Sequence, residues 1–211
     1  MSTTAVVETG DASPLVPTGG GVKALREAAA ACKACPLWRD ATQTVFGDGR
    51  ARAPVMLIGE QPGDREDRQG KPFVGPAGGL LDKALAEAGI DPSQTYRTNV
   101  VKHFKWKPRG KRRIHQTPTK LEVEACRPWL DAELERVKPD VVAILGATAA
   151  KSLLGSDFRV TKQRGELLEV DFAPAAVATF HPSAILRADD EDRAEAFADL
   201  VADLRVVAAA I

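Results

Sequence analysis

The sequence predicts an α/β fold, a three-layer α/β/α sandwich around a central four-stranded parallel sheet. Short runs of unbroken apolar residues, such as Pro54–Gly59 and Val141–Leu145, read as strands covered on both faces. Helical patterns separate these runs, and strands alternating with helices give a parallel sheet flanked on both sides. The residues best suited to chemistry fall in loops after strands, where open α/β sheets place their sites.

Taken in order, Met1 to about Gly21 reads as a flexible lead-in, small and polar with Gly19, Gly20 and Gly21 in a row, so the domain proper spans 22–211. A helix pattern runs through Leu25 to Cys32, followed by the tight segment Cys32–Leu37. The strand Pro54–Gly59 ends in a Gly/Pro-rich turn, Gly59-Glu60-Gln61-Pro62-Gly63. Leu80–Ile90 is an amphipathic helix and Tyr96–Val101 a second strand. Pro118–Val137 is a long helix carrying Cys126 and Trp129. Val141–Leu145 is the third strand, and a short Ala-rich helix follows Gly146. Phe158–Val170 resembles a hairpin turning at Arg164-Gly165. Ala176–Phe180 is the fourth core strand, leading into His181-Pro182-Ser183, and a last helix starts near Asp190. No internal repeat is present.

Composition excludes several classes. At 211 residues, 44% hydrophobic and 27% charged, the chain is an ordinary globular one. Aromatics make up 5%, so Ala, Val and Leu must fill the core. No apolar run approaches the roughly 20 residues of a membrane helix, and no secretory signal pattern opens the chain, so a cytoplasmic protein without a membrane partner is expected. Three cysteines are too few for a disulfide framework. Lys plus Arg equals Asp plus Glu, 29 against 29, so only the distribution of charge is informative.

That distribution is uneven. Pro92–Lys120 holds no acidic residue but carries Arg97, Lys102, Lys105, Lys107, Arg109, Lys111, Arg112, Arg113 and Lys120, with Phe104 and Trp106 interleaved. Cations suit phosphates and flat rings suit bases, so the segment reads as a nucleic-acid contact; a solvated loop is the plainer alternative. Cys32-x-x-Cys35 puts two thiolates within reach of one metal site, which serves zinc, redox or iron–sulfur chemistry alike. Cys126 is either a third ligand or a buried apolar residue. His103 is either a fourth ligand or a surface or phosphate-contacting histidine.

Gly59-Glu60-Gln61-Pro62-Gly63-Asp64, Gly70-Lys71-Pro72-Phe73-Val74-Gly75-Pro76-Ala77-Gly78 and Leu80-Leu81-Asp82 closely resemble the first motif of the iron–sulfur (family 4) uracil-DNA glycosylases. Thr98-Asn99-Val100-Val101-Lys102 and His181-Pro182-Ser183-Ala184-Ile185-Leu186 resemble two more, and the likeness spans about Val22–Val207. Two departures stand out. His103 occupies a position that is usually a cluster cysteine, and Lys111-Arg112-Arg113-Ile114-His115 is a loop that ordinary members lack. With Gln61, that loop resembles the UdgX branch, whose members excise uracil and stay attached to DNA through the loop histidine. The resemblance therefore implies a 4Fe–4S cluster on Cys32, Cys35, His103 and Cys126, and uracil-containing DNA, single strands included, as the partner of a monomer.

The implied roles agree with the chemistry of N-glycosidic cleavage, in which the sugar gains positive charge and the base negative charge. The base must first leave the stack and enter a fitted pocket. Phe73 suits stacking on the flipped ring, Asn99 suits reading the uracil edge, and the resemblance adds Gln61 to the uracil contacts. His181 is placed by the resemblance to donate to the uracil carbonyl as charge develops. Ser183, Lys111, Arg112 and Arg113 are expected on DNA. Glu60, the water-activating carboxylate of ordinary relatives, is expected to take a proton from His115 as that histidine bonds C1′, making a neutral N-alkylated imidazole, a poor leaving group. The alternatives are an ordinary multiple-turnover glycosylase and a non-catalytic, metal-stabilised DNA-binding module.

Overall fold

A computed structural model of the chain describes residues 10–211. The strands are β1 (Asp48–Gly49), β2 (Val55–Gly59), β3 (Thr95–Asn99), β4 (Trp106–Arg109), β5 (Arg112–His115), β6 (Val141–Leu145), β7 (Leu167–Val170) and β8 (Ala173–Thr179). The helices are α1 (Val22–Ala29), α2 (Asp64–Gln69), α3 (Pro76–Glu87), α4 (Lys120–Val137), α5 (Ala147–Leu154), α6 (Val160–Gln163), α7 (Pro182–Ile185) and α8 (Asp190–Ala208).

The main sheet has the order β1-β3-β2-β6-β8-β7. Its four central strands are parallel, as the apolar runs predict, and two short antiparallel strands close the edges. Every residue of β2 and β6 is buried. Alternation splits them between the faces. Met56, Ile58, Val142 and Ile144 pack on the side of α1, α4 and α5 with Trp129 and Leu130. Val55, Leu57, Val141, Ala143 and Leu145 pack on the side of α3 and α8 with Leu81, Leu85, Leu200 and Leu204. Among the described residues no helix is long and apolar enough to cross a membrane.

Three expectations are corrected. Residues 1–9 of the expected lead-in lie outside the described residues. From Gly10 onward the chain is docked: Gly10 and Ala12 donate their N–H groups to Ala34 and Ala125, and Ala12 is fully buried. The hairpin at Phe158–Val170 is instead helix α6 followed by β7, and β7 pairs with β8, because Gly165 already bonds the Ala178 carbonyl at the sheet edge. The basic loop contains a hairpin that the charges conceal, β4 paired with β5 across the turn Gly110-Lys111.

Register places the site. Gly59 pairs with Asn99 and Leu145 with Thr179, so Glu60, Asn99, Gly146 and Phe180-His181 emerge side by side at one end of the sheet.

Candidate active site

A cleft of about 670 Å³ opens at that end, lined by Glu60, Phe73, Asn99, His115, His181 and Arg187 among others. Each group arrives on a different element. Glu60 follows β2, Asn99 ends β3, His115 ends β5, and His181 caps the start of α7. Phe73 sits on the loop between α2 and α3 with a left-handed backbone, φ 55°. Such a backbone costs an aromatic residue of order 1–2 kcal/mol and persists only where neighbours enforce it. Here Glu66 accepts the Gly75 N–H at 2.7 Å, and the Phe73 carbonyl lies against Gly78, where a Cβ would collide with it. Gly59 is needed for a similar reason: a side chain there would strike Asn99 and Phe73.

His181 is held as one tautomer. The Ser183 backbone N–H donates to His181 Nδ1 at 3.1 Å, and the Ser183 hydroxyl lies 2.8 Å from the same nitrogen. A backbone N–H can only donate, so Nδ1 is the acceptor and Nε2 carries the proton. Burial drives the His181 pKa down to about 4, with Arg187 and His115 acting in the same direction. The ring is therefore a neutral donor, stacked 6.1 Å from the Phe73 ring centroid. Ser183, expected on a phosphate, spends its polar groups on this histidine.

His115 Nε2 lies 3.3 Å from Glu60 Oε1. Burial lowers the His115 pKa; Glu60 opposes that shift and Arg187 adds to it by less. The pair is thus a neutral imidazole facing a carboxylate. Glu60 Oε1 is buried without a hydrogen-bond partner, so the two groups are near neighbours and the contact does not fix which ring nitrogen carries the proton.

The residues around His115 do not all serve as the sequence suggests. Gln61 lines the cleft, but its amide is committed to the hairpin root: Oε1 accepts from Lys105 N, and Nε2 donates to the carbonyls of Lys105 and Gln116. Arg113, expected on DNA, points inward. Its guanidinium bridges Asp64 and Asp67, with 2.6 Å to Asp67 Oδ2 and 3.2 Å to Thr42 Oγ1, and stacks near Phe104 and Trp106. Two carboxylates neutralise it, so it is a latch on the hairpin. Lys105 likewise bonds Glu122, Arg97 bonds Asp82, and Lys102 bonds Glu133. Lys107, Arg109, Lys111 and Arg112 remain exposed along the hairpin. Sequence reading missed Arg187, and it placed Glu66 in the first motif without giving it a role. Arg187 had a signal, its i,i+4 spacing from Ser183 beside the cleft; nothing local announced that Glu66 holds the Gly75 N–H.

Cys32, Cys35 and Cys126 are buried, and none of them forms a disulfide. The Trp129 indole N–H donates to Cys32 Sγ and the Lys102 backbone N–H to Cys126 Sγ, each at 3.3 Å. Burial raises the Cys126 thiol to about 12, with Lys102 opposing and Cys35 and Cys32 adding to the rise. His103 is buried, and its Nε2 lies 2.9 Å from Thr44 Oγ1. That hydroxyl donates its only hydrogen to the Ala29 carbonyl, so His103 Nε2 must be the donor and Nδ1 keeps the lone pair. Among the described residues no three His, Cys, Asp or Glu side chains could hold one metal ion. A cluster makes a different demand, because each ligand binds a separate iron. N–H donors directed at sulfur and a histidine fixed by an outer hydrogen bond are the surroundings such ligands require.

Comparison with known proteins follows the same lines. The profile of the Uracil DNA glycosylase superfamily matches residues 46–205. The type-4 uracil-DNA glycosylase of Thermotoga maritima is 41% identical over 157 residues, covering 74% of this chain and 78% of that protein. That of Sulfurisphaera tokodaii is 35% identical over 170 residues, 77% of this chain and 74% of its own length. That of Pyrobaculum aerophilum is 37% identical over 163 residues, 74% and 80%. The chain belongs to the uracil DNA glycosylase superfamily, on its type-4-like side.

Proposed function

We propose that the protein excises uracil from DNA and then captures the sugar covalently through His115. The observation that carries this reading is the neutral His115 facing Glu60 across a cleft that also holds Phe73, Asn99 and His181. Exposed cations on the hairpin track the phosphates, and the flipped base enters beside Phe73 and Asn99. The C1′–N1 bond breaks, its electron pair leaving on uracil, and His181 Nε2–H donates to the carbonyl where negative charge gathers. The unprotonated nitrogen of His115 bonds C1′, and the proton on its other nitrogen passes to Glu60. The neutral N-alkylated imidazole that remains is a poor leaving group, so the bond persists.

The reading takes the protein as a monomer acting on uracil-containing DNA, single strands included. Cys32, Cys35, Cys126 and His103 would hold a 4Fe–4S cluster, which when bound ties three remote segments together.

A denaturing gel with single-stranded uracil DNA tests the reading. A heat- and detergent-resistant adduct is expected for the parent chain. His115→Ser should release uracil repeatedly with no adduct, since water can then reach C1′ beside Glu60. Released uracil without an adduct from the parent assigns ordinary multiple turnover instead, the activity named for its type-4 relatives. No released uracil leaves a DNA-binding module.

A further inference from the structure

Lys102 and Glu133 form an ion pair in the core, 2.5 Å from Nζ to Oε2, with side chains 1% and 0% exposed. Removing two charges from water is expensive, and well-packed apolar residues usually stabilise a fold as well or better. The pair is therefore poorly explained as a source of stability. What an ammonium in a closed site does offer is three directed donors. Lys102 Nζ uses all of them, on Glu133 Oε2, Thr98 Oγ1 and the main-chain carbonyl of Asn99, the last two at 2.7 Å. Glu133 in turn accepts from Tyr96 Oη at 2.8 Å, Gly47 N at 3.0 Å and Thr98 Oγ1.

The peptide unit between Asn99 and Val100 is consequently held at both ends. Its carbonyl is held by Lys102, and its N–H donates to the Gly59 carbonyl at 2.9 Å. The next N–H, of Val101, donates to the Glu60 carbonyl. Resting on the reading of Asn99 as the residue that meets uracil, we propose that the buried Lys102–Glu133 pair is a positioning device that fixes the Asn99 backbone, and through it the base pocket. Lys102 touches no substrate. It acts through Asn99, and Glu133 anchors it to α4.

The test uses the full chain and a uracil oligonucleotide in single turnover, with protein concentration varied. Lys102→Met/Glu133→Leu removes both charges at similar volume. It is expected to fold with a lowered melting midpoint, because Tyr96 Oη, Gly47 N and Thr98 Oγ1 lose their acceptor, to lose about 100-fold in maximal excision rate, and to keep its half-saturating concentration within about threefold. Inhibition by free uracil should weaken about tenfold, a readout that a merely structural role would not move. Glu133→Gln keeps an acceptor for Tyr96 and Gly47, preserves the fold, and should lose about tenfold in rate. In an Asn99→Ala background neither change should slow excision further. Folded variants with parental excision and uracil inhibition overturn the proposal. So does an equal fall in the Asn99→Ala background, and so does failure of both variants to fold, since the pair would then hold the domain and not the pocket. Absence of uracil release by the parent chain would instead remove the functional reading itself.

Discussion

Replacing Arg113 with alanine separates a latch from a phosphate contact. The Arg113 side chain is 13% exposed, and it satisfies Asp67, which is fully buried, and Asp64, which is 42% exposed. Without the guanidinium, Asp67 retains among the described residues the Thr42 N–H, at 2.9 and 3.1 Å to its two oxygens. Breaking a fully buried pair from one side costs about 3–5 kcal/mol, and an exposed pair contributes about 0–1. Arg113 itself keeps 13% of its side chain in solvent, so its pair with Asp67 falls below the fully buried range, and about 2–3 kcal/mol is the expected loss for the two together. At 1.36 kcal/mol per factor of ten, that shifts the docked hairpin about 30- to 150-fold toward release. Gln61 still clasps the root at Lys105 and Gln116, so His115, between that clasp and Arg113, loses its alignment along β5 while the base pocket stays. Adduct formation should slow about 10- to 100-fold, with uracil release within about threefold of the parent. The melting midpoint should fall by about 5–10 °C. The assay is a single-turnover quench split in two, one half cleaved with alkali to count abasic sites and the other run on a denaturing gel. An unchanged adduct rate would refute the latch. So would uniformly weaker DNA binding with a salt slope smaller by about one, which is the mark of a lost phosphate contact.

Protonation removes the His115 lone pair, so capture is lost as pH falls; because desolvation holds its pKa below the ordinary 6.5, the midpoint of that loss should lie below 6.5, and a midpoint at or above that value in stopped-flow or gel kinetics would contradict a neutral nucleophile. Cys126→Ala should abolish brown colour and iron content and lower the melting midpoint by more than about 8 °C, beyond the roughly 2–4 °C that loss of one buried sulfur explains at this chain length. Asn99→Ala should lose excision by about 100-fold while salt titrations of undamaged DNA binding match the parent, because phosphate contacts carry no base information; a parental rate would remove Asn99 from the pocket.

The central sheet was legible because β2 and β6 are buried on both faces and so show unbroken apolar runs. The hairpin β4–β5 was not. Pro108 and its run of cations lack alternation, and its docking comes from distant side chains: Gln61, Arg113 and the Trp106 indole on the Asp40 carbonyl. Lys102 was read as one cation among many. Its partner Glu133 lies 31 residues away on a helix, and no local pattern announces such a pairing. The motif residues Glu60, Asn99, His115 and His181 were found from the sequence, and the structure brings them to one cleft. Gln61, Arg113 and Ser183, read from the sequence as uracil or DNA contacts, bond protein groups around that cleft, and no local pattern announced those bonds.

That division of labour bears on how excision and capture coexist. Glu60, Asn99 and His181 follow parallel strands whose backbones are bonded on both sides, so their positions are as stiff as the sheet. His115 stands on a two-stranded sheet of its own, joined to the body through side chains. Elements with few backbone ties open locally at lower free energy than the core. The nucleophile can therefore be moved, weakened or removed without deforming the base pocket. Mutations in the latches should then change the ratio of adduct to released uracil, and mutations at the strand ends should change both together.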